Sequence, residues 1–179
     1  MRSQELPARM GEWVVGTEPG TVLSCIGLGS CIGLALIDRR TRVAGLAHVM
    51  LPEAPSGAGA SVPPKQPDKF AEFAVPNLIA ALIDKGAARH RLEAVLVGGA
   101  QMFAMGTGVS GRDIGARNEA AVRAQLDRAR IPVRAAATGG AKGRSMRVLV
   151  PDGEVVYKEA AGQPITLLEA AADTLRMAA

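Results

Sequence analysis

Chemistry in this chain concentrates between Cys25 and Pro52, a stretch that holds both cysteines, Cys25 and Cys31, and one of the two histidines, His48. A cysteine attacks as its thiolate, and a free thiol with a pKa near ~8.5 is mostly protonated at neutral pH. An imidazole within reach can take that proton or hold the thiolate as an ion pair. Gly27-Leu28-Gly29-Ser30 leads into Cys31, and glycine permits tight or left-handed backbone that exposes amide N–H groups beside the sulfur. Donors around Gly29, Ser30 and Cys31 could then form an oxyanion hole. A cysteine and a histidine in an apolar hairpin are more often two buried residues than an active site, so geometry has to bring them together.

Strand geometry predicts that it does. Two apolar runs, Ile32 to Ile37 and Val43 to Leu51, flank Asp38-Arg39-Arg40-Thr41, which reads as a hairpin turn. With Arg39 and Arg40 in the loop, opposed residues have numbers that sum to 79, and Cys31 faces His48. Directly opposed residues on antiparallel strands have Cβ atoms roughly 4.5–5.5 Å apart. A slip of one residue would send the two side chains to opposite faces. The same glycines also read as G-x-G-x-x-x-G, one residue too long for a dinucleotide loop, followed by strand-like alternation rather than a helix, with no P-loop lysine. A nucleotide loop is therefore excluded.

At 179 residues, 48% hydrophobic but only 3% aromatic, the chain fits one domain with a small-aliphatic core. Its net charge of +4 is spread without a block of like charges, and the near absence of aromatics argues against nucleic-acid binding. The N-terminus has no apolar signal region and no run approaches membrane-spanning length, so no membrane insertion and a cytoplasmic location are expected. A reducing compartment disfavours a Cys25–Cys31 disulfide. Two cysteines and two histidines do not give zinc-site spacing, and no cofactor or metal is expected. His90, in Ala88-Arg89-His90-Arg91, reads as a solvated helix-end residue.

Residues 1–12 are expected to form a flexible N-terminus and residues 13–179 a single domain. Strands are predicted over Glu12–Gly16, Thr21–Ile26, Leu92–Val97, Pro132–Ala136, Arg144–Val150 and Glu154–Lys158. Helices are predicted over Asp68–Lys85, kinked or divided by Pro76, over Gly115–Arg130, and at the C-terminus over Pro164–Met177. A low-complexity loop follows Pro52 and could flap over the site. Strands at both ends with helices between them favour an α+β fold, a mixed α/β layered β-sandwich with flanking helices.

Gly27-Leu28-Gly29-Ser30-Cys31, followed by Ala47-His48-Val49-Met50-Leu51-Pro52, resembles the signature of the CheD chemoreceptor glutamine deamidases of bacterial chemotaxis. Gly98-Gly99-Ala100-Gln101-Met102-Phe103, Ile114-Gly115-Ala116-Arg117-Asn118 and Gly139-Gly140-Ala141-Lys142-Gly143-Arg144 resemble three further blocks of that family in the expected order. The resemblance implies a layered sandwich shared with cysteine–histidine deamidating toxin domains. It also implies hydrolysis of specific glutamine side chains on methyl-accepting chemoreceptors, with Cys31 as nucleophile and His48 as its base.

Partners implied are the cytoplasmic receptor helices and a CheC-type phosphatase, met by a monomer. Met102 and Phe103 are either receptor contacts or core, and Arg117 and Asn118 either bind a partner or buttress the second helix. The family commonly has a histidine-orienting threonine where this chain has Cys25, a weaker acceptor. Either a backbone carbonyl or another side chain supplies that bond, or the histidine is less firmly held. The alternative reading is a receptor-binding adaptor or regulator with little or no catalysis.

Overall fold

A computed structural model of the chain describes residues 4–55, 65–101 and 114–170. In chain order these residues form β1 (Gln4–Pro7), β2 (Trp13–Gly16), β3 (Thr21–Leu28), β4 (Ile32–Asp38), β5 (Val43–Val49), α1 (Ala71–Asp84), β6 (Glu93–Gly98), α2 (Ile114–Ala129), β7 (Val133–Thr138), β8 (Arg144–Leu149), β9 (Glu154–Glu159) and β10 (Pro164–Leu168). Every residue of β4 and β5 is buried, as expected of central strands covered on both faces, whose sequences run almost continuously apolar.

Two five-stranded sheets result, with strand orders β1-β3-β8-β9-β10 and β2-β5-β4-β6-β7. The second sheet lies in the middle. One of its faces packs through Ile32, Leu34, Leu36, Ala47 and Val49 against Leu78 and Leu82 of α1 and Val122 and Leu126 of α2. Its other face packs through Ala35, Ile37, Ala44 and Leu46 against Leu23, Cys25, Met146 and Val148 of the first sheet. The architecture is a mixed α+β sandwich with both helices on one side.

The β4–β5 hairpin forms, in a different register from the one predicted. Asp38 pairs with Val43 and Gly33 with His48, so paired numbers sum to 81 and the loop is Arg39–Arg42. Asp38 is the reason. Its carboxylate accepts from the backbone N–H groups of Arg40 and Thr41 at 3.1 and 3.4 Å, curling the loop over it. Arg42 at φ 59° then completes the reversal in the left-handed region. The loop is anchored to the chain before β6, because Asp38 also accepts from the N–H of Ala88 at 2.9 Å and from the Arg91 guanidinium at 2.7 Å. Because strands alternate faces with period two, a change of two in the sum keeps Cys31 and His48 on one face.

The C-terminal helix predicted from Pro164 is also corrected: Pro164–Leu168 is β10, antiparallel to β9 at the edge of the first sheet. Ile165 and Thr166 favour extended backbone, the open edge of β9 supplies a partner, and proline is tolerated at the first residue of an edge strand. Pro76 neither divides nor ends α1; it sits in the second turn on the exposed side, where the carbonyl it leaves free can be hydrated. His90 is exposed in a short 3₁₀ turn. Residues 4–12, assigned to the N-terminal arm, run as β1 parallel to β3 and then cross toward β2.

Candidate active site

Cys31 sits in the bend between β3 and β4. Gly27 adopts φ +76° and its carbonyl accepts from the N–H of Gly29 at 3.0 Å, which folds the loop back. The end of β6 braces that loop from below. The N–H of Gly99 donates to the carbonyl of Cys31 at 2.8 Å and that of Ala100 to Gly29 at 2.7 Å. Gly98 has φ +118°, and a Cβ there would run into the carbonyl oxygen of Cys31. A Cβ on Gly115 of α2 would likewise run into Gly99. Arg144 bonds the carbonyls of Gly139 and Gly98 at 2.6 and 3.3 Å and pairs with Glu159 at 3.1 Å. The glycine-rich motifs spaced along the sequence are thus one backbone cradle for the loop that carries Cys31.

His48 continues the row Ala44, Leu46 on the face of β5 that looks into the inter-sheet core, where Cys31 also packs. Continuing the observed register one pair beyond β4 makes Cys31 and His48 diagonal rather than direct neighbours, a separation of roughly 7–8 Å between backbones. Cys31 is half-buried and His48 is 1% exposed.

The segment after β1 grips the histidine. The backbone N–H of His48 donates to Glu12 at 2.9 Å, its carbonyl accepts from Gly11 at 3.0 Å, and its Nδ1 lies 3.4 Å from the carbonyl oxygen of Ala8. A carbonyl can only accept, so it assigns the proton to Nδ1 and leaves Nε2 as a bare lone pair. Nε2 is buried and has no partner among the described residues.

Burial lowers the His48 pKa, against a smaller upward pull from the Ala8 carbonyl. Burial raises that of Cys31, partly offset by its own backbone N–H, which favours the thiolate. Burial thus favours the uncharged form of each group, thiol and imidazole. A buried imidazole with a free lone pair is chemically able to take a proton from a donor brought within reach.

Of the supporting residues, Cys25 is fully buried and donates from Sγ toward the carbonyls of Ala8 at 3.7 Å and Ala47 at 3.9 Å. It makes no hydrogen bond to the imidazole. The bond that fixes the histidine comes from a main-chain carbonyl, and the Cys25 thiol steadies that same carbonyl. The Gly29 N–H is spent on Gly27, whereas no described backbone carbonyl accepts from the N–H groups of Ser30 and Cys31. Those two amides have no backbone acceptor among the described residues. Met102 and Phe103 lie outside the described residues.

The sequence left Asn118 between two roles, and the structure buries it completely. Its amide donates to the carbonyls of Ser30 and Met50 at 2.9 and 2.8 Å. The signal was present, because Gly115, Asn118, Val122 and Leu126 make the buried stripe of α2 and an amide stands among small and apolar residues. Among the described residues no three His, Cys, Asp or Glu side chains gather as a metal site, and no helix is long and apolar enough to cross a membrane.

Comparison with known proteins covers most of the chain. The model of the CheD family, described as chemotactic sensory transduction, matches residues 50–159, starting just past His48. A protein of Symbiobacterium thermophilum named "Probable chemoreceptor glutamine deamidase CheD" is 43% identical over 147 residues, 82% of this chain and 87% of that one. A protein of Moorella thermoacetica bearing the same name is 41% identical over 169 residues, 94% of this chain and 98% of its own. One from the archaeon Haloarcula marismortui, again so named, is 38% identical over 92% of this chain and 90% of its own. The crystal structure of a Neisseria meningitidis protein covers 72% of this chain and 52% of that one at 17% identity with a TM-score of 0.43, too low to carry an argument. Matched by the family model over more than half its length and by such relatives over 82–94% of it, the chain belongs to the CheD family.

Proposed function

We propose that this protein hydrolyses the side-chain amide of glutamines on the cytoplasmic helices of methyl-accepting chemoreceptors, with Cys31 as nucleophile and His48 as general base and acid. The observation that carries this reading is the histidine: a buried, neutral imidazole tied through Nδ1 to Ala8, with Nε2 bare on the face where the half-buried thiol lies. The names of the relatives support the substrate class.

His48 Nε2 takes the proton of Cys31 as the sulfur adds to the carboxamide carbon, and the N–H groups of Ser30 and Cys31 receive the developing oxyanion. Collapse of the tetrahedral adduct breaks the C–N bond, and the imidazolium protonates the departing nitrogen, which leaves as ammonia. Water then gives its proton to Nε2 and adds to the thioester. The second adduct expels the thiolate, which recovers the proton, and glutamate is released. Atoms balance with water as the only co-reactant, and neither metal nor cofactor enters any step.

The protein is treated with receptor cytoplasmic fragments and the fragments are read by peptide mass spectrometry. Conversion of glutamine to glutamate with the wild-type chain and none with Cys31→Ala is expected. Equal conversion by both would overturn the assignment of the nucleophile. Receptor binding without any conversion would favour the adaptor reading, in which the chain contacts receptors and a CheC-type phosphatase and performs no chemistry.

A further inference from the structure

We infer that Asn118 is a positioning residue for the nucleophile, one side chain of α2 that holds the segments carrying Cys31 and His48 in register and polarises the peptide whose N–H faces the reacting atoms. The inference rests on Cys31 being the nucleophile. Its geometry is independent of the substrate.

The two carbonyls that Asn118 holds lie beyond the ends of the hairpin ladder. Pairing of β4 with β5 stops at Ile32 and Val49, so Ser30 precedes it and Met50 follows it. No ladder bond fixes the separation of those two segments. The amide spans them with one N–H to each carbonyl, at 2.9 and 2.8 Å. Turning the amide over would set its oxygen against both carbonyl oxygens, so the orientation is unambiguous. Oδ1 is buried with no partner among the described residues, and a buried unsatisfied acceptor costs roughly 1–3 kcal/mol. An apolar residue on this stripe would escape that cost but would release both carbonyls.

The Ser30 carbonyl belongs to the same peptide group as the N–H of Cys31. Donation to a carbonyl shifts charge across its peptide and makes the N–H on the other side a better donor. That N–H is the one beside Sγ, and no described backbone carbonyl accepts from it. Asn118 thus acts twice, on where the sulfur stands and on how well the adjoining donor receives negative charge.

The test compares Asn118→Ala and Asn118→Ser with Leu126→Ala, a cavity on the same buried stripe that touches neither carbonyl. Iodoacetamide labelling of the Cys31 peptide is followed by mass spectrometry across pH, alongside kcat and KM on receptor fragments and a thermal unfolding curve. Expected for both Asn118 variants are a labelling midpoint shifted to higher pH and a kcat lower by roughly ten- to hundredfold with KM nearly unchanged. Leu126→Ala should lose stability and move neither reading. If the Asn118 variants at matched stability label and turn over like Leu126→Ala, the inference is overturned. The serine variant keeps one donor and carries the test where alanine fails to fold. Labelling needs no substrate, so an inactive wild-type chain would sink the proposed function and leave the labelling comparison standing.

Discussion

At the scale of single residues the proposed site pairs a buried histidine whose pKa is lowered with a half-buried thiol whose pKa is raised, burial being the main cause of both shifts. Since burial depresses the His48 pKa, the imidazole is deprotonated through the neutral range, and the acidic limb of kcat/KM should fall below the value of an ordinary histidine. A rate profile with that limb above the ordinary value would contradict a buried neutral base. His48→Gln should lower kcat by roughly 10²–10⁴-fold, the usual contribution of a general base, measured on receptor fragments. Cys25 stands one step further out. Its thiol hydrogen-bonds the Ala8 carbonyl at 3.7 Å and not the imidazole, so Cys25→Ala should cost much less in kcat than His48→Gln and leave the acidic limb in place. A matching loss in both variants would make Cys25 a direct partner of the histidine.

At the scale of elements, the hairpin and its cradle decide where those groups stand. Asp38 fixes the loop, and burial pushes its carboxyl up while Arg91 and the amides of Ala88 and Thr41 outweigh burial and hold it down to about 2. The depression from 3.8 corresponds to roughly 2 kcal/mol. A lowered folded-state pKa means stability that is complete above 3.8 and lost as pH falls through about 2. Asp38→Asn should therefore destabilise the protein by about that amount at neutral pH and flatten its acid-unfolding curve between those limits, read by denaturant titration at several pH values. His48 adds a separate acid-side loss, since its own depressed pKa means protonation favours the unfolded chain below the ordinary histidine value. Gly98→Ala tests the cradle. A side chain at φ +118° strains the backbone by about 1–3 kcal/mol and pushes against the carbonyl of Cys31, so activity should fall further than stability does.

At the scale of the whole molecule, protection runs from the middle sheet outward. β4 and β5 are buried on both faces, whereas β10 is a half-exposed edge, so amide exchange should be slowest in the first pair and fast in β10. Equal protection of β10 and β4 would refute this layering. Much of it was legible in the order of residues. Alternating apolar runs marked the strands, the i, i+3, i+4 spacing marked both helices, and the fixed period of two placed Cys31 and His48 on one face even though the loop proved longer than predicted. Local chemistry could not supply what depends on distant partners. The register hung on Asp38 meeting Ala88 and Arg91 about fifty positions away, β10 on the open edge of β9, and the orientation of the histidine on the carbonyl of Ala8. A main-chain carbonyl has no side-chain signature, so only the folded chain could reveal it. The sequence by itself determined which side chains the hairpin carries and the face that Cys31 and His48 share, because residue type and strand period are local. Tertiary structure decided their register, tautomer and charge, because burial and hydrogen bonding are properties of neighbours brought in from elsewhere.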